Sequence, residues 1–210
     1  MRANLSILAK EGWLYFGIAI FFWVSSLVFN FYPWVFFFFV ILVIVFYKNP
    51  ERVPLEHDKL ALIAPIDGAI VKISKGKDLQ NQDSVVVSIR NQPYQTSLLR
   101  VPTFCKIKEI KSVSGLSLSH EEKHSYLLNS KKFIHFQAEF HSFWMGVKNG
   151  AWSNKIAIYQ TNKELWQGER VGFALGAEVT LYLPIDTRIR VNEKDKVFAG
   201  ESVLGYLEGR

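Results

Sequence analysis

The chain opens with a long apolar block and then changes period. Trp13 to Tyr47 is 35 residues without a charge. A straight helix of that length would run about 52 Å, well past the roughly 30 Å hydrocarbon core of a bilayer. Asn30 and Pro33 interrupt the block near its middle, and proline disfavours helix at the residue before it. The pattern predicts two helical arms, Trp13–Phe29 and Trp34–Tyr47, joined by a turn at Asn30-Phe31-Tyr32-Pro33. Both arms are short for spanning, which leaves two placements open: crossing a thin region, or a re-entrant hairpin confined to one leaflet. After a polar stretch with Pro50 and Pro54, the pattern from Ala61 becomes short β-like runs punctuated by turn residues. They are Ala69–Ile73, Val85–Ile89, Phe104–Ile110, Phe133–Phe140, Phe143–Val147, Lys155–Tyr159, Gly172–Leu175, Val179–Leu183 and Val197–Tyr206. The turns fall at Asp67-Gly68, Lys75-Gly76, Asn149-Gly150, Gly168, Pro184 and Gly200. Many short strands of this kind predict a sandwich or partly closed barrel. Only His120 to Leu128 reads as helical in this region.

The expected organisation is therefore a membrane anchor over residues 1–47, a linker over 48–60 and a mainly β domain over 61–210. Arg2 and Lys10 flank the first arm, and Lys48 and Arg52 follow the second, so both ends favour the cytoplasmic side. Trp13, Tyr15, Trp34 and Tyr47 lie near the arm ends, where amphipathic rings prefer the interface. A signal peptide is excluded by the block's length and the lack of a small-residue cleavage site.

Charge and cysteine content narrow the partners. The net charge is +6, and the region from Lys48 onward holds 23 basic against 18 acidic residues. A mildly basic domain beside a bilayer is drawn to anionic head groups. No basic–aromatic stripe or nucleic-acid motif accompanies the charge, so nucleic acid is not an expected partner. Cys105 is the single cysteine; it provides neither a disulfide framework nor a four-cysteine metal site, and reads as a small buried hydrophobe. Trp144, Trp152 and Trp166 read as core or interface aromatics, and Lys48, Arg52, Lys131 and Lys132 as a solvated face. His120-Glu121-Glu122-Lys123-His124 fits the zinc-hydrolase pattern H-E-x-x-H. Its flanks are polar, and no spacing singles out a third ligand among His135, Glu139 and His141, so a solvated loop or short helix is the simpler reading. Asp67-Gly68 is a favoured turn pair.

Ordered landmarks run through nearly the whole chain. Lys10-Glu11-Gly12-Trp13 opens the anchor, and Phe46-Tyr47-Lys48-Asn49-Pro50-Glu51-Arg52 closes it. Ala64-Pro65-Ile66-Asp67-Gly68 begins the β region, and Arg100-Val101-Pro102 lies in its middle. Gly168-Glu169-Arg170-Val171-Gly172, Leu175-Gly176-Ala177, Leu181-Tyr182-Leu183-Pro184 and Ala199-Gly200-Glu201-Ser202-Val203-Leu204 follow. Together they resemble the short bacterial form of phosphatidylserine decarboxylase. That resemblance implies a β-sandwich or barrel behind a membrane segment, at the bacterial inner membrane. It also implies self-cleavage between a glycine and a serine, whose residue becomes a pyruvoyl group that forms a Schiff base with the substrate amine and acts as an electron sink. A histidine assisted by an aspartate serves the self-cleavage.

Carried over residue by residue, the pattern breaks at the chemistry. The Gly-Ser pair falls on Gly176-Ala177, and alanine has no hydroxyl to attack with or eliminate. The histidine of the family's His-Val-Asn-Arg falls on Ser97; the aspartate is kept as Asp67. Thr180 cannot substitute, because a strand over Val179–Leu183 would hold it several ångströms from the Gly176 carbonyl. The expectation is a non-cleaving pseudoenzyme without a cofactor. It would bind membrane phospholipid, modulate an active paralogous decarboxylase, or self-associate. The alternatives are an active decarboxylase with an unrecognised maturation route, and a membrane-anchored zinc hydrolase using His120, Glu121 and His124.

Overall fold

The structure is a computed structural model that describes residues 7–53, 58, 60–119, 128–139, 141–151, 155–159 and 164–208. The apolar block folds as two helices, α1 (Gly12–Val28) and α2 (Pro33–Phe46). They are packed against each other as a hairpin. Asn30 (φ 51°) and Tyr32 (φ 43°) turn the chain in the left-handed region. Pro33 sits in the first turn of α2, where its missing N–H costs nothing. The outer surface of the hairpin is bare hydrocarbon: Leu14, Phe21, Val28, Phe31 and Trp34 all stand exposed. At 17 and 14 residues, neither helix is long and apolar enough to cross a membrane. The helical arms are thus as expected, and the transmembrane crossing is not supported.

The β strands in chain order are β1 (Ala61–Ile63), β2 (Gly68–Lys77), β3 (Asp83–Arg90), β4 (Leu98–Arg100), β5 (Cys105–Val113), β6 (Lys131–Gln137) and β7 (Ser142–Lys148). They continue as β8 (Ala157–Ile158), β9 (Glu164–Leu165), β10 (Arg170–Phe173), β11 (Glu178–Pro184), β12 (Arg188–Ile189), β13 (Lys196–Val197) and β14 (Val203–Tyr206). An eight-stranded sheet has the order β13-β2-β3-β11-β7-β6-β5-β9; two three-stranded sheets, β1-β14-β12 and β4-β10-β8, accompany it. Every pairing between these strands is antiparallel. β11 shows why the sheet forms. Val179, Leu181 and Leu183 alternate inward with Glu178, Thr180 and Tyr182, the period-two pattern of a strand with one buried face. One core gathers Leu62, Ile66, Ile89, Phe136, Met145 and Leu181. Each such side chain contributes roughly 1.5–3 kcal/mol on burial.

The mainly β expectation holds, with changes in detail. The run Val197–Tyr206 divides into β13 and β14, because Gly200 turns the chain at φ 77°. A Cβ at Gly200 would lie 2.6 Å from Arg100 Cδ, so both conformation and space require glycine there. β1, β4, β9 and β12 are only two or three residues long, too short to show a period. Cys105 is buried as expected, and burial pushes its thiol pKa up. Trp144 is in the interior, whereas Trp166 is exposed and edges onto Phe104. Trp152 and the stretch His120 to His124 lie outside the described residues.

Candidate functional site

Four positions singled out by sequence, Asp67, Ser97, Gly176 and Ala177, come from three separate parts of the fold. Asp67 precedes β2, Ser97 precedes β4, and Gly176-Ala177 forms the turn between β10 and β11. The structure brings them together through a residue that the sequence did not single out. Asn91, the first residue after β3, is buried. Its Oδ1 accepts from Ser97 Oγ at 3.1 Å and from the Gly176 N–H at 3.1 Å. Its Nδ2 donates to the Asp67 carbonyl at 2.8 Å and the Thr96 carbonyl at 3.0 Å. Its backbone N–H donates to the Ala177 carbonyl at 2.9 Å. The side-chain amide therefore uses both donors and both acceptor directions, and together with the Asn91 backbone N–H it grips the peptides on either side of the Gly176–Ala177 bond. Gly176 holds φ 57°, which an L side chain adopts only at a cost.

The turn packs without slack. Ala177 and Ser97 are fully buried, and Ala177 belongs to the main core beside Val179 and Val147. The Ser97 carbonyl accepts from the Ala174 N–H at 2.9 Å, which ties the strand before the turn to β4.

Asp67 is more than a turn residue. Its carboxylate meets Arg52 through two contacts, Oδ1 with Nη1 and Oδ2 with Nη2, the latter at 2.9 Å. It also accepts from the Ala199 N–H at 2.7 Å and the Thr96 N–H at 3.3 Å. A bidentate guanidinium and two backbone donors satisfy the charge that burial would otherwise penalise. Arg52 is thus an ion-pair partner rather than part of a solvated face. Arg100, also buried, donates from Nη1 to the Gly168 carbonyl and from Nη2 to the Pro50 carbonyl, both at 2.8 Å. Burial, then the charges of Arg170 and Arg52, lowers its pKa to about 10. The linker is held to the β domain by these two arginines.

The site borders the hairpin. Leu98, next to Ser97, and Leu175, next to Gly176, pack with Ala9 and Phe173 in a second apolar cluster that Phe46 and Tyr47 join. Tyr47 stacks on Phe173 at 5.4 Å and 9°. Glu11 accepts from the Tyr159 hydroxyl at 2.8 Å. Together with burial, that bond pushes the Tyr159 pKa up.

Can this site hold the group that the resemblance implies? A pyruvoyl group derives from a serine residue at the cleavage position. Ala177 presents a buried methyl to the core, so the residues present do not fit that group. Among the described residues, no group of three or more His, Cys, Asp and Glu side chains is placed to hold a metal. Of the ligands considered for zinc, His135 stacks on Trp144 at 4.3 Å, and His141 Nε2 lies 2.7 Å from the Glu208 carbonyl. Thr180 stands in β11 with its Oγ1 3.2 Å from Ser88 Oγ, committed to the strand face.

The sequence profile of phosphatidylserine decarboxylase matches residues 39–205. The chain belongs to the phosphatidylserine decarboxylase family. It is similar to the phosphatidylserine decarboxylase proenzyme of Burkholderia cenocepacia (strain HI2424), at 26% identity over 96% of this chain and 97% of that one. It is equally similar to the phosphatidylserine decarboxylase proenzyme of Paraburkholderia phymatum, at 27% identity over 96% of this chain and 97% of that one. The matches run nearly end to end along this chain.

Proposed function

We propose that the protein is a non-cleaving member of the phosphatidylserine decarboxylase family that binds phospholipid, or modulates an active paralogue, at the bacterial inner membrane with its β domain in the cytoplasm. The observation that carries this reading is the chemistry of the Gly176–Ala177 peptide. No hydroxyl follows the glycine, the position of the family's histidine is a buried serine bonded to Asn91, and Asp67 is engaged by Arg52. The chain then stays whole and makes no pyruvoyl group. Its role is to hold or present lipid rather than to convert it.

The hairpin supplies the membrane contact in this reading. α1 and α2 expose large apolar side chains around their outer surface, and their two outer ends lie together at Ala9 and Tyr47. At 1.5 Å per residue the helices are roughly 25 and 21 Å long, short of the roughly 30 Å hydrocarbon core, so the hairpin enters and leaves through the same face of the membrane. Lys10 and Lys48 stand at that entrance, and basic residues there favour an anionic cytoplasmic surface.

The test uses full-length protein in vesicles containing phosphatidylserine. The expected result is co-sedimentation with the vesicles and no phosphatidylethanolamine formation above a protein-free blank. Protein-dependent, multiple-turnover formation of phosphatidylethanolamine would establish the alternative, an active enzyme with another maturation route.

A further inference from the structure

The hairpin is fixed to the β domain, and this fixes which end of the domain faces the leaflet. Two backbone bonds close its base, and two side-chain contacts, Tyr47 with Phe173 and Glu11 with Tyr159, join it to the domain. The Ala9 N–H donates to the Tyr47 carbonyl at 2.7 Å, and the Asn49 N–H to the Ile7 carbonyl at 3.0 Å. Tyr47 is sandwiched between Tyr15 and Phe173, each at 5.4 Å. Glu11 holds Tyr159 as described. A fifth contact reaches the loop after β3: Lys48 Nζ donates to the Tyr94 carbonyl at 2.8 Å. Tyr94 itself is 60% exposed. The loop Gln92–Gln95 is therefore tied to the hairpin at its base, with an amphipathic ring standing free of the domain.

Charge separates along the sheet in the same direction. At the sheet end next to Asn91 and Gly176-Ala177, β6, β7, β11 and β3 place Lys131, Lys148, Glu178 and Arg90 in one cross-strand row. Glu178 pairs with Lys148 at 3.4 Å and Arg90 at 3.2 Å, so the row keeps an excess of positive charge. β3 then runs roughly 24 Å, at about 3.4 Å per residue, to its opposite end. There a cavity of about 430 Å³ is lined by Asp78, Asp83, Asp186 and Glu208 among others, with Lys77 across from Asp83 and Arg188 3.6 Å from Glu208 offsetting part of that charge. A negatively charged leaflet therefore attracts the first end more strongly than the second.

We infer that the β domain docks end-on against a phospholipid leaflet, with the Gln92–Gln95 loop and Tyr94 at head-group level and the acidic cavity turned to water. This rests on the reading of the hairpin as a membrane element. It adds that the buried Asn91–Gly176 site, in the same loop and strand ends, lies directly beneath the lipid surface. An amphipathic ring at that depth gains from both sides of the interface.

The test places an environment-sensitive fluorophore on one introduced cysteine at a time in the full chain. The sites are Phe38→Cys in the hairpin, Tyr94→Cys in the loop and Gln80→Cys at the far turn. Cys105 is buried, and its raised thiol pKa keeps it from the label. The protein is reconstituted with vesicles of phosphatidylcholine and phosphatidylglycerol carrying lipids brominated at known depths. The expected result is deep quenching at 38, shallow quenching with a blue shift at 94, and a water-like signal at 80. A quenched 38 with water-like 94 overturns the end-on docking and leaves the hairpin reading standing. Quenching at both 94 and 80 overturns it in favour of a domain lying on its side. A water-like 38 sinks both readings together.

Discussion

Replacing Asn91 with alanine removes the amide that joins the parts of the site. Four side-chain hydrogen bonds of 2.8 to 3.1 Å disappear, two from Nδ2 and two to Oδ1. Each buried bond contributes about 1 kcal/mol net, and an orphaned buried partner costs about 1–3 kcal/mol. Ser97 can turn its hydroxyl elsewhere, and a water entering the vacated space recovers part of the loss. The expected destabilisation is about 3–4 kcal/mol, large against a domain stability of roughly 5–15 kcal/mol. Urea unfolding of the full chain in detergent, followed by tryptophan fluorescence, measures it. Hydrogen exchange adds a local readout, since the Gly176 amide should lose protection beyond the global change. Asn91→Asp keeps both acceptors but sets a carboxylate against the Asp67 and Thr96 carbonyls, so it should not restore stability. A loss below about 1 kcal/mol for Asn91→Ala, with Gly176 protection unchanged, would refute the account of the site.

Asp67→Ala leaves Arg52 facing the site without its carboxylate and frees the Ala199 and Thr96 amides; breaking such a pair should cost about 3 kcal/mol, read as a lower urea midpoint. Burial, then the charge of Lys108, lowers the His135 pKa. The unfolded chain therefore takes up the proton first, so stability from this group is complete above the unfolded pKa and is lost as pH falls through about 6.5. His135→Phe keeps a ring on Trp144 and should lose less stability than the parent between neutral and mildly acidic pH; an identical loss would contradict this. Restoring chemistry is a further test. Ala177→Ser alone lacks a general base, which typically contributes about 10²–10⁴-fold, so it should cut itself barely or not at all. Adding Ser97→His should give measurable cleavage by mass spectrometry, and Asn91→Ala in that double variant should change the rate, because the Asn91 side chain holds the Gly176 N–H beside the bond. Efficient cleavage by Ala177→Ser alone would show that Ser97 does not stand where the missing base belongs.

Much of this was legible in the sequence because long, periodic features carry strong signals. The charge-free stretch with a break at Asn30 and Pro33 became α1 and α2, and short apolar runs bounded by turn residues marked β3, β7 and β11. Very short strands outside the expected runs escaped, since two or three residues cannot display a period; tertiary pairing alone defines β1, β4, β9 and β12. Within the site, Asp67, Ser97, Gly176 and Ala177 were found by resemblance, yet their connection was not. Asn91 sits in Asn-Gln-Pro, a stretch that reads as an ordinary turn. Its role depends on three distant segments meeting around one amide, which no local pattern encodes. Arg52 was misread for a related reason: a linker arginine looks solvated until a buried carboxylate is placed opposite it.

The central claim is that this chain is not processed, and intact mass tests it most directly. The 210-residue chain is expressed, purified from membranes in detergent and examined under denaturing conditions. The account predicts one species at the full mass of about 24.2 kDa, with an alanine residue at position 177 and no keto group reactive toward hydrazide. Two chains separated after Gly176, the second opening with a blocked, hydrazide-reactive terminus, would contradict it.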